Sequence, residues 1–369
     1  MKKSYLMIAA AAALFVACQD TDTLKEVVNE EVAIGFSSEF ASKTTKSEIN
    51  DTWMKTAGDK FGVYGYKDET STNHRIVTLF SNEKVTYSNN DWVHTNVRYW
   101  DKSADDAYDF YAYAPYSSSA VSFVKDATAP AKTGFTYNLG TQVFADATLD
   151  ATVDLCVAAV EGTDYNECFL PNTTTASDGH VSFTFDHVLS KLSFNVKKAD
   201  DLNATVTLNA LKMQFPTAST VSWTQRSKSK TRGNKDSQQG EVEYVGDVTY
   251  NSDYADPTAD TYGVTIVSGK TQTVTTSSTA IADAHSYIVA PNVVATPTEK
   301  HKINVKVEYT IAYSDNIVET QVATGIAEIN FIENYHYTLT ITIDPAKIEF
   351  DVDAVNGWSE QHNENVDVD

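Results

Sequence analysis

The stretch that decides the fold is Ile303-Asn304-Val305-Lys306-Val307-Glu308-Tyr309-Thr310-Ile311. Apolar and polar residues alternate along it with a period of two, which is typical of a β-strand with one buried face. The same alternation returns in residues 339–343 and 348–352. Many short runs of this kind, separated by turn residues, predict an all-β protein built from β-sandwiches.

The rest of the chain follows the same pattern. Val32, Ile34 and Phe36 alternate as a first strand, and the aromatic-rich segments 61–66 and 108–113 predict further strands. With 42% hydrophobic residues, the chain has enough apolar side chains to fill a core, which excludes disorder for its bulk. Its length of 369 residues exceeds one comfortable core and suggests two domains, and a second strand-rich region begins near Val181.

The charge balance excludes one class of partner. The formal net charge is -22 at pH 7. A chain this acidic repels nucleic acid and anionic lipid, so no nucleic-acid partner is expected.

The N-terminus carries an export signal. Lys2 and Lys3 precede an apolar run, residues 5–17, that ends at Cys18. The run is too short for a membrane-spanning helix, which needs about 20 apolar residues. Because it ends at a cysteine, it resembles a bacterial lipoprotein signal, which implies that residues 1–17 are removed and Cys18 is lipidated. An ordinary cleaved signal with a chance cysteine is the alternative.

Two further cysteines, Cys156 and Cys168, flank a turn at Gly162. In an exported protein they could form a hairpin disulfide, or they could be two buried free thiols. The sequence leaves both readings open, because it does not supply the Cα separation that decides between them.

Motifs of catalysis are missing from the sequence. It has no Gly-x-Ser-x-Gly elbow and no glycine-rich phosphate loop, and its eight histidines have no zinc-type spacing. His94 and His336 alternate with aromatic strand residues, which favours hydrogen-bonded structural roles. We therefore expect no enzyme, no metal site and no cofactor.

Three segments, taken in order, resemble the fimbrillin family of Bacteroidetes, the subunits of type V pili. They are the aromatic stretch 61–116, the segment Phe185-Asp186-His187-Val188-Leu189-Ser190-Lys191-Leu192, and the segment from Asn334 to Trp358. The resemblance implies two transthyretin-like β-sandwich domains in tandem, residues 47–180 and 181–369.

The resemblance also implies a route of assembly. Residues 18–46 would hold a tether and a removable first strand, with Val32, Ile34 and Phe36 as the side chains that leave a groove. The C-terminal segment of a neighbouring subunit, residues 355–369, would fill that groove. The implied partners are other fimbrial subunits, copies of this chain or minor ones, and the outer membrane through a lipid anchor (a palmitate-type chain). The implied location is the cell outer membrane, surface-exposed, within a fimbrium that supports cell adhesion.

One departure from the family keeps alternatives open. The family's protease cuts after arginine just beyond the first strand, whereas this region offers Lys43 and Lys46, and the first arginine is Arg75. Either a lysine serves, or another protease acts, or the chain stays uncut and anchored. A different alternative is a stand-alone surface lipoprotein that binds glycan or host protein.

Overall fold

The structure is a computed structural model of the chain. It describes residues 31–40, 49, 51–69, 75–101, 106–125, 133–138, 154–163, 179–213, 216–218, 220–224, 248–250, 264–284, 286–289, 301–314, 317–331, 334–344, 348–356 and 361–364. Within these ranges the chain is almost entirely β-structure, which confirms the predicted all-β class. The described part contains no helix that is both long and apolar enough to cross a membrane.

The elements follow one another in this order along the described residues: β1 (Gly35–Phe40), α1 (Asp51–Met54), β2 (Gly58–Glu69), β3 (Arg75–Ser88), β4 (Asp91–Val93), β5 (Ala107–Ala114), β6 (Val121–Val124), β7 (Gly134–Asn138), β8 (Cys156–Thr163), β9 (His180–His187), β10 (Ser190–Lys198), β11 (Thr205–Met213), β12 (Pro216–Ala218), β13 (Thr220–Thr224), β14 (Val248–Tyr250), β15 (Val264–Val267), β16 (Gln272–Val274), β17 (Thr279–Ala280), β18 (Tyr287–Val289), β19 (His301–Ala312), β20 (Val318–Ile329), β21 (Tyr335–Ile343), β22 (Ile348–Asn356) and β23 (Gln361–Glu364).

A seven-stranded sheet contains the N-terminal strands, in the order β1-β9-β8-β5-β2-β3-β4. Its neighbouring strands are antiparallel except β1 and β9, which run parallel from Gly35 opposite His180 to Phe40 opposite Phe185. One face buries Phe61, Phe110 and Phe183 in a core that α1 closes with Met54. The alternating aromatic runs therefore fill a core, as their period of two requires.

The opposite face of this sheet has a core of its own. Tyr64, Tyr111 and Tyr113 point to that side and pack with Phe135 and Tyr137 of β7. Here β7 lies between β6 and β13 in a small three-stranded sheet. Since β13 follows β10 and β11 along the chain, a strand from the later part of the sequence completes the cover over the first sheet.

Two sheets face each other in the C-terminal part. One has the order β17-β10-β21-β22-β23, with β18 also pairing with β10, and the other has the order β15-β11-β19-β20, with β16 pairing with β11. The predicted apolar runs meet between them, including Ile303, Val307 and Ile311 of β19 and Leu339 and Ile341 of β21, all almost completely buried. This part is a β-sandwich whose core is built from side chains at every second position.

The chain passes from the first sheet to the second sandwich just after His187. Val181 and Phe185 lie in β9, whose side chains pack into the core of the first sheet. At the crossing, Val188 N donates a hydrogen bond to Leu155 O (3.0 Å), and β10 then begins in another sheet. The chain therefore changes sheet between β9 and β10, and the domain boundary before Val181 stays a prediction.

Candidate assembly site

The backbone of the first strand is held on both sides. Ile34 N donates a hydrogen bond to Arg98 O (2.8 Å), and Trp100 N donates one to Val32 O (3.0 Å). From Gly35 onwards the strand pairs with β9 instead. The segment 32–40 therefore connects residues 98–100 to β9 by backbone hydrogen bonds, which any sequence of suitable shape could make.

The side chains of this segment add specificity. Ile34 and Phe36 are almost completely buried, and Val32 packs against the same core at partial exposure. The ring of Phe36 lies 5.1 Å from that of Phe80 and 5.8 Å from that of Phe183, measured between ring centroids. The three residues predicted to fill a groove thus share one face of the strand and reach the core of the first sheet.

A glycine sets the fit of β1 against β9. A Cβ atom at Gly35 would lie 2.0 Å from a ring carbon of His180, which no pair of atoms tolerates without movement. Gly35 is opposite His180 in the parallel register, so the missing side chain leaves room for the imidazole. The pattern Val-x-Ile-Gly-Phe therefore specifies both the buried face and the close approach on the other face.

Hydrogen bonds of two polar side chains, His94 and Glu83, lie beside the strand. His94 Nε2 is 3.0 Å from Ile34 O, so the predicted structural role of His94 is confirmed. Below it, Glu83 Oε1 accepts hydrogen bonds from Thr95 N (2.8 Å) and Asn96 N (2.9 Å). Burial of Glu83 acts to raise its pKa, but these bonds and the Asn96 side chain outweigh burial and lower the pKa. The sequence did not indicate a role for Glu83, because its partners Thr95 and Asn96 are 12 and 13 residues further along the chain, beyond a turn.

The predicted donor segment pairs with its own chain. Residues 355 and 356 end β22, and residues 361–364 form β23, which runs antiparallel to β22 from Val352 opposite Glu364 to Val355 opposite Gln361. Residues 357–360 and 365–369 lie outside the described residues. In this structure the described part of the tail is thus an outer strand of the second sandwich.

The remaining predicted site residues fall into two groups. Cys18, Lys43, Lys46 and Cys168 lie outside the described residues, so their predicted roles stay predictions. Cys156 is described: it is fully buried at the start of β8 and forms no disulfide with another described residue. The predicted pairing of Cys156 with Cys168 stays a prediction, because Cys168 lies outside the described residues.

Comparison with known proteins gives the family. A family model described as fimbrillin-like matches residues 45–358, which is most of the chain. The chain belongs to the fimbrillin-like family. The resemblance drawn from the aromatic and C-terminal segments is thereby confirmed.

Individual fimbrillin-like relatives are distant. The fimbrium subunit Fim1C of Phocaeicola vulgatus is 24% identical over 213 residues, which are 54% of this chain and 52% of that protein. The chain thus matches about half the length of this curated relative. A crystal structure of a fimbrial protein from Bacteroides vulgatus covers 88% of this chain, and the chain covers 99% of it, with a TM-score of 0.57 at 18% identity. That likeness shows a shared fold.

Proposed function

We propose that this fimbrillin-like protein is a structural subunit of a cell-surface fimbrium, assembled by strand exchange and supporting adhesion. The observation that carries the proposal is the way the first strand is held in the fold. Segment 32–40 is an N-terminal piece of chain that supplies Ile34 and Phe36 to the core of the first sheet and is held at its two backbone edges.

Loss of this strand would create a groove suited to another strand. The edge of β9 would lose its parallel partner, and the carbonyl of Arg98 and the amide of Trp100 would lose their hydrogen bonds. The rings of Phe80 and Phe183 would lose Phe36 between them. Exposed backbone groups and exposed apolar rings are both unfavourable, and an incoming strand with apolar residues at alternate positions restores both contacts.

Processing and anchoring complete the proposal. We infer that Cys18 carries the lipid that brings the chain to the outer membrane, and that cleavage near Lys43 or Lys46 frees the first strand. Strand exchange then supplies a segment from residues 355–369 of a neighbour, which must first leave its place beside β22. If no protease acts there, the subunit keeps its lipid and serves as the anchor. The two transthyretin-like domains and the absence of enzymatic activity belong to the same proposal.

A deletion tests strand exchange directly. Protein lacking residues 19–46 is mixed with intact subunits and run on SDS gels without boiling. We expect ladders that resist SDS, because the open groove accepts a neighbour's strand. The matched control lacks only residues 19–30 and keeps the first strand, so it should stay monomeric. A 19–46 deletion that folds, as shown by circular dichroism, and remains monomeric would refute strand exchange.

A second candidate function is binding of a glycan, favoured by one polar cavity. The cavity has a volume of about 540 Å³ and lies on the outer side of the sheet formed by β10, β21 and β22. Its lining includes Lys191, Ser193, Ser286, His336 and Asp353. Ser193 Oγ is 2.7 Å from both Ser286 Oγ and His336 Nε2, so donors and acceptors are fixed in place. Cavities of this size hold small ligands.

A glycan array distinguishes this candidate from a purely structural role. Clear hits that disappear in a Lys191→Ala variant would support glycan binding at the cavity. An array with no hits, obtained with protein that still forms ladders, would rule out glycan binding and support a purely structural role.

A further inference from the structure

Three side chains with metal-ligand chemistry meet at the end of the first sheet. Cys156 begins β8 and lies directly opposite His187, the last residue of β9, in the antiparallel register. Asp154 precedes Cys156 by two residues, so both side chains project to the same side of the chain. The topology therefore brings a carboxylate, a thiol and an imidazole to one place.

Their geometry is tight and dry. His187 Nδ1 lies 2.8 Å from Asp154 Oδ1 and 3.2 Å from Cys156 Sγ. One ligand atom from each of the three residues lies within 4.8 Å of the others. The exposed fraction is 3% for Asp154, 0% for Cys156 and 6% for His187. Among the described residues, this is the one group of three histidine, cysteine or acidic side chains whose ligand atoms lie this close together.

The three side chains form a buried, hydrogen-bonded cluster of metal-ligand types. His187 Nδ1 lies within hydrogen-bond distance of the Asp154 carboxylate and of Cys156 Sγ, and the Cys156 thiol also lies 3.8 Å from the Asp154 carbonyl oxygen. A buried carboxylate is stabilised by a hydrogen-bonded partner, as Asp154 is by His187, or by coordination of a metal ion. A cation between the three atoms would accept a lone pair from each of them.

The ligand types select the ion. Thiolate, imidazole and carboxylate are the donors of zinc sites, with Zn–S of about 2.3 Å and Zn–N of about 2.0–2.1 Å. Tetrahedral geometry with these bonds separates the donor atoms by roughly 3.3–3.6 Å. The observed 2.8 and 3.2 Å are shorter by a few tenths of an ångström, a gap that small side-chain rotations close.

The surroundings supply the second shell of such a site. Ile49 N donates a hydrogen bond to Asp154 Oδ2 (3.2 Å), which orients the carboxylate and leaves Oδ1 directed at the cluster. Outer partners of this kind hold ligands in place in known metal sites. The Asp154 carbonyl oxygen, 3.8 Å from Cys156 Sγ, or a water molecule would fill the fourth position.

We propose that Asp154, Cys156 and His187 bind one Zn²⁺ ion. Binding releases the thiol proton to solvent, and the imidazole carries its proton on Nε2 while Nδ1 coordinates. The ion joins the start of β8 to the end of β9, and through Asp154 it holds Ile49, the residue beyond the predicted cut sites. If the first strand is removed as in the proposed function, on which this consequence rests, the ion keeps the new start of the chain near Ile49 attached to the first sheet.

Metal analysis of the full-length protein, purified in detergent under reducing conditions, tests the proposal. We expect about one equivalent of zinc to remain after desalting. Cobalt added to the zinc-free protein should give a thiolate-to-cobalt charge-transfer band. Cys156→Ser should abolish the band and weaken zinc binding by more than the roughly 10–100-fold that loss of an outer-shell partner costs. Cys168→Ser is the matched control and should change neither.

Each other outcome overturns the proposal. Wild-type protein with a free Cys156 thiol, no retained zinc and no charge-transfer band would show that the cluster is a hydrogen-bonded network. Zinc retained equally by Cys156→Ser would show an adventitious ion only. A Cys156–Cys168 disulfide found by mass spectrometry in the native protein would remove the ligand. If Cys156→Ser does not fold, Asp154→Asn replaces it, and the wild-type measurements remain decisive.

Discussion

Truncation of Phe36 to alanine tests whether the first strand is held in the first sheet by the packing of this side chain. The ring is 1% exposed and lies within 6.0 Å, centroid to centroid, of the rings of Phe80, Phe110 and Phe183. Phe-to-Ala changes at such sites cost about 3–5 kcal/mol, from lost burial together with the cavity that remains. We expect the free energy of unfolding of the intact protein to fall by that amount.

Urea denaturation of the full-length chain, followed by circular dichroism, measures this loss. Ser37→Ala is the matched control on the opposite face of the same strand, and it should change stability by less than about 0.5 kcal/mol. A cost below about 1 kcal/mol for Phe36→Ala would refute the packing of this strand in the groove. In mixtures with the 19–46 deletion, intact Phe36→Ala should also join ladders faster than the wild type, because a weakened strand is easier to displace.

Two further changes test the hydrogen bonds beside the first strand and the packing of the C-terminal sandwich. Glu83→Gln should cost about 1.5–3 kcal/mol at pH 7, because the bonds from Thr95 and Asn96 to a charged acceptor are weakened. Since the folded state lowers the pKa of Glu83, this stabilisation is present above the ordinary glutamate pKa and is lost as pH falls through the lower, folded value. Urea midpoints of the wild type and variant should therefore converge as the pH falls below the ordinary glutamate pKa, and a constant difference would contradict the charge-based explanation. Gly325→Ala should cost about 1–3 kcal/mol, because the new Cβ would lie 2.4 Å from a ring carbon of Phe350. A double variant with Phe350→Leu should recover part of the loss, and an unchanged melting temperature in the single variant would show that β20 and β22 are farther apart.

The identity and buried face of many strands could be predicted, because the information is local. Ile303 to Ile311 and Leu339 to Ile343 alternate strictly, and both runs are strands with those side chains in the core. The same reasoning placed Ile34 and Phe36 on one buried face. A period of two determines which side chains share a face wherever the chain is extended.

The partners of each strand could not be predicted in the same way. Nothing local in residues 35–40 indicates a parallel neighbour at residues 180–185, and nothing in residues 220–224 indicates pairing with β7. Backbone hydrogen bonds are nearly independent of side-chain identity, so the choice of partner depends on how distant faces pack together. For this reason nothing local to Val181 indicates that its strand, β9, pairs with β1 and β8 in the first sheet.

By itself the sequence determined an all-β chain and a first strand whose Val32, Ile34 and Phe36 face one way, and it predicts an export signal that ends at Cys18. Those features depend on composition and short-range periodicity, which a linear sequence contains in full. Only the tertiary structure decided that this strand lies between residues 98–100 and β9, and that Asp154, Cys156 and His187 converge. These contacts join residues far apart in the chain, and they form only when separate sheets bury their apolar faces together.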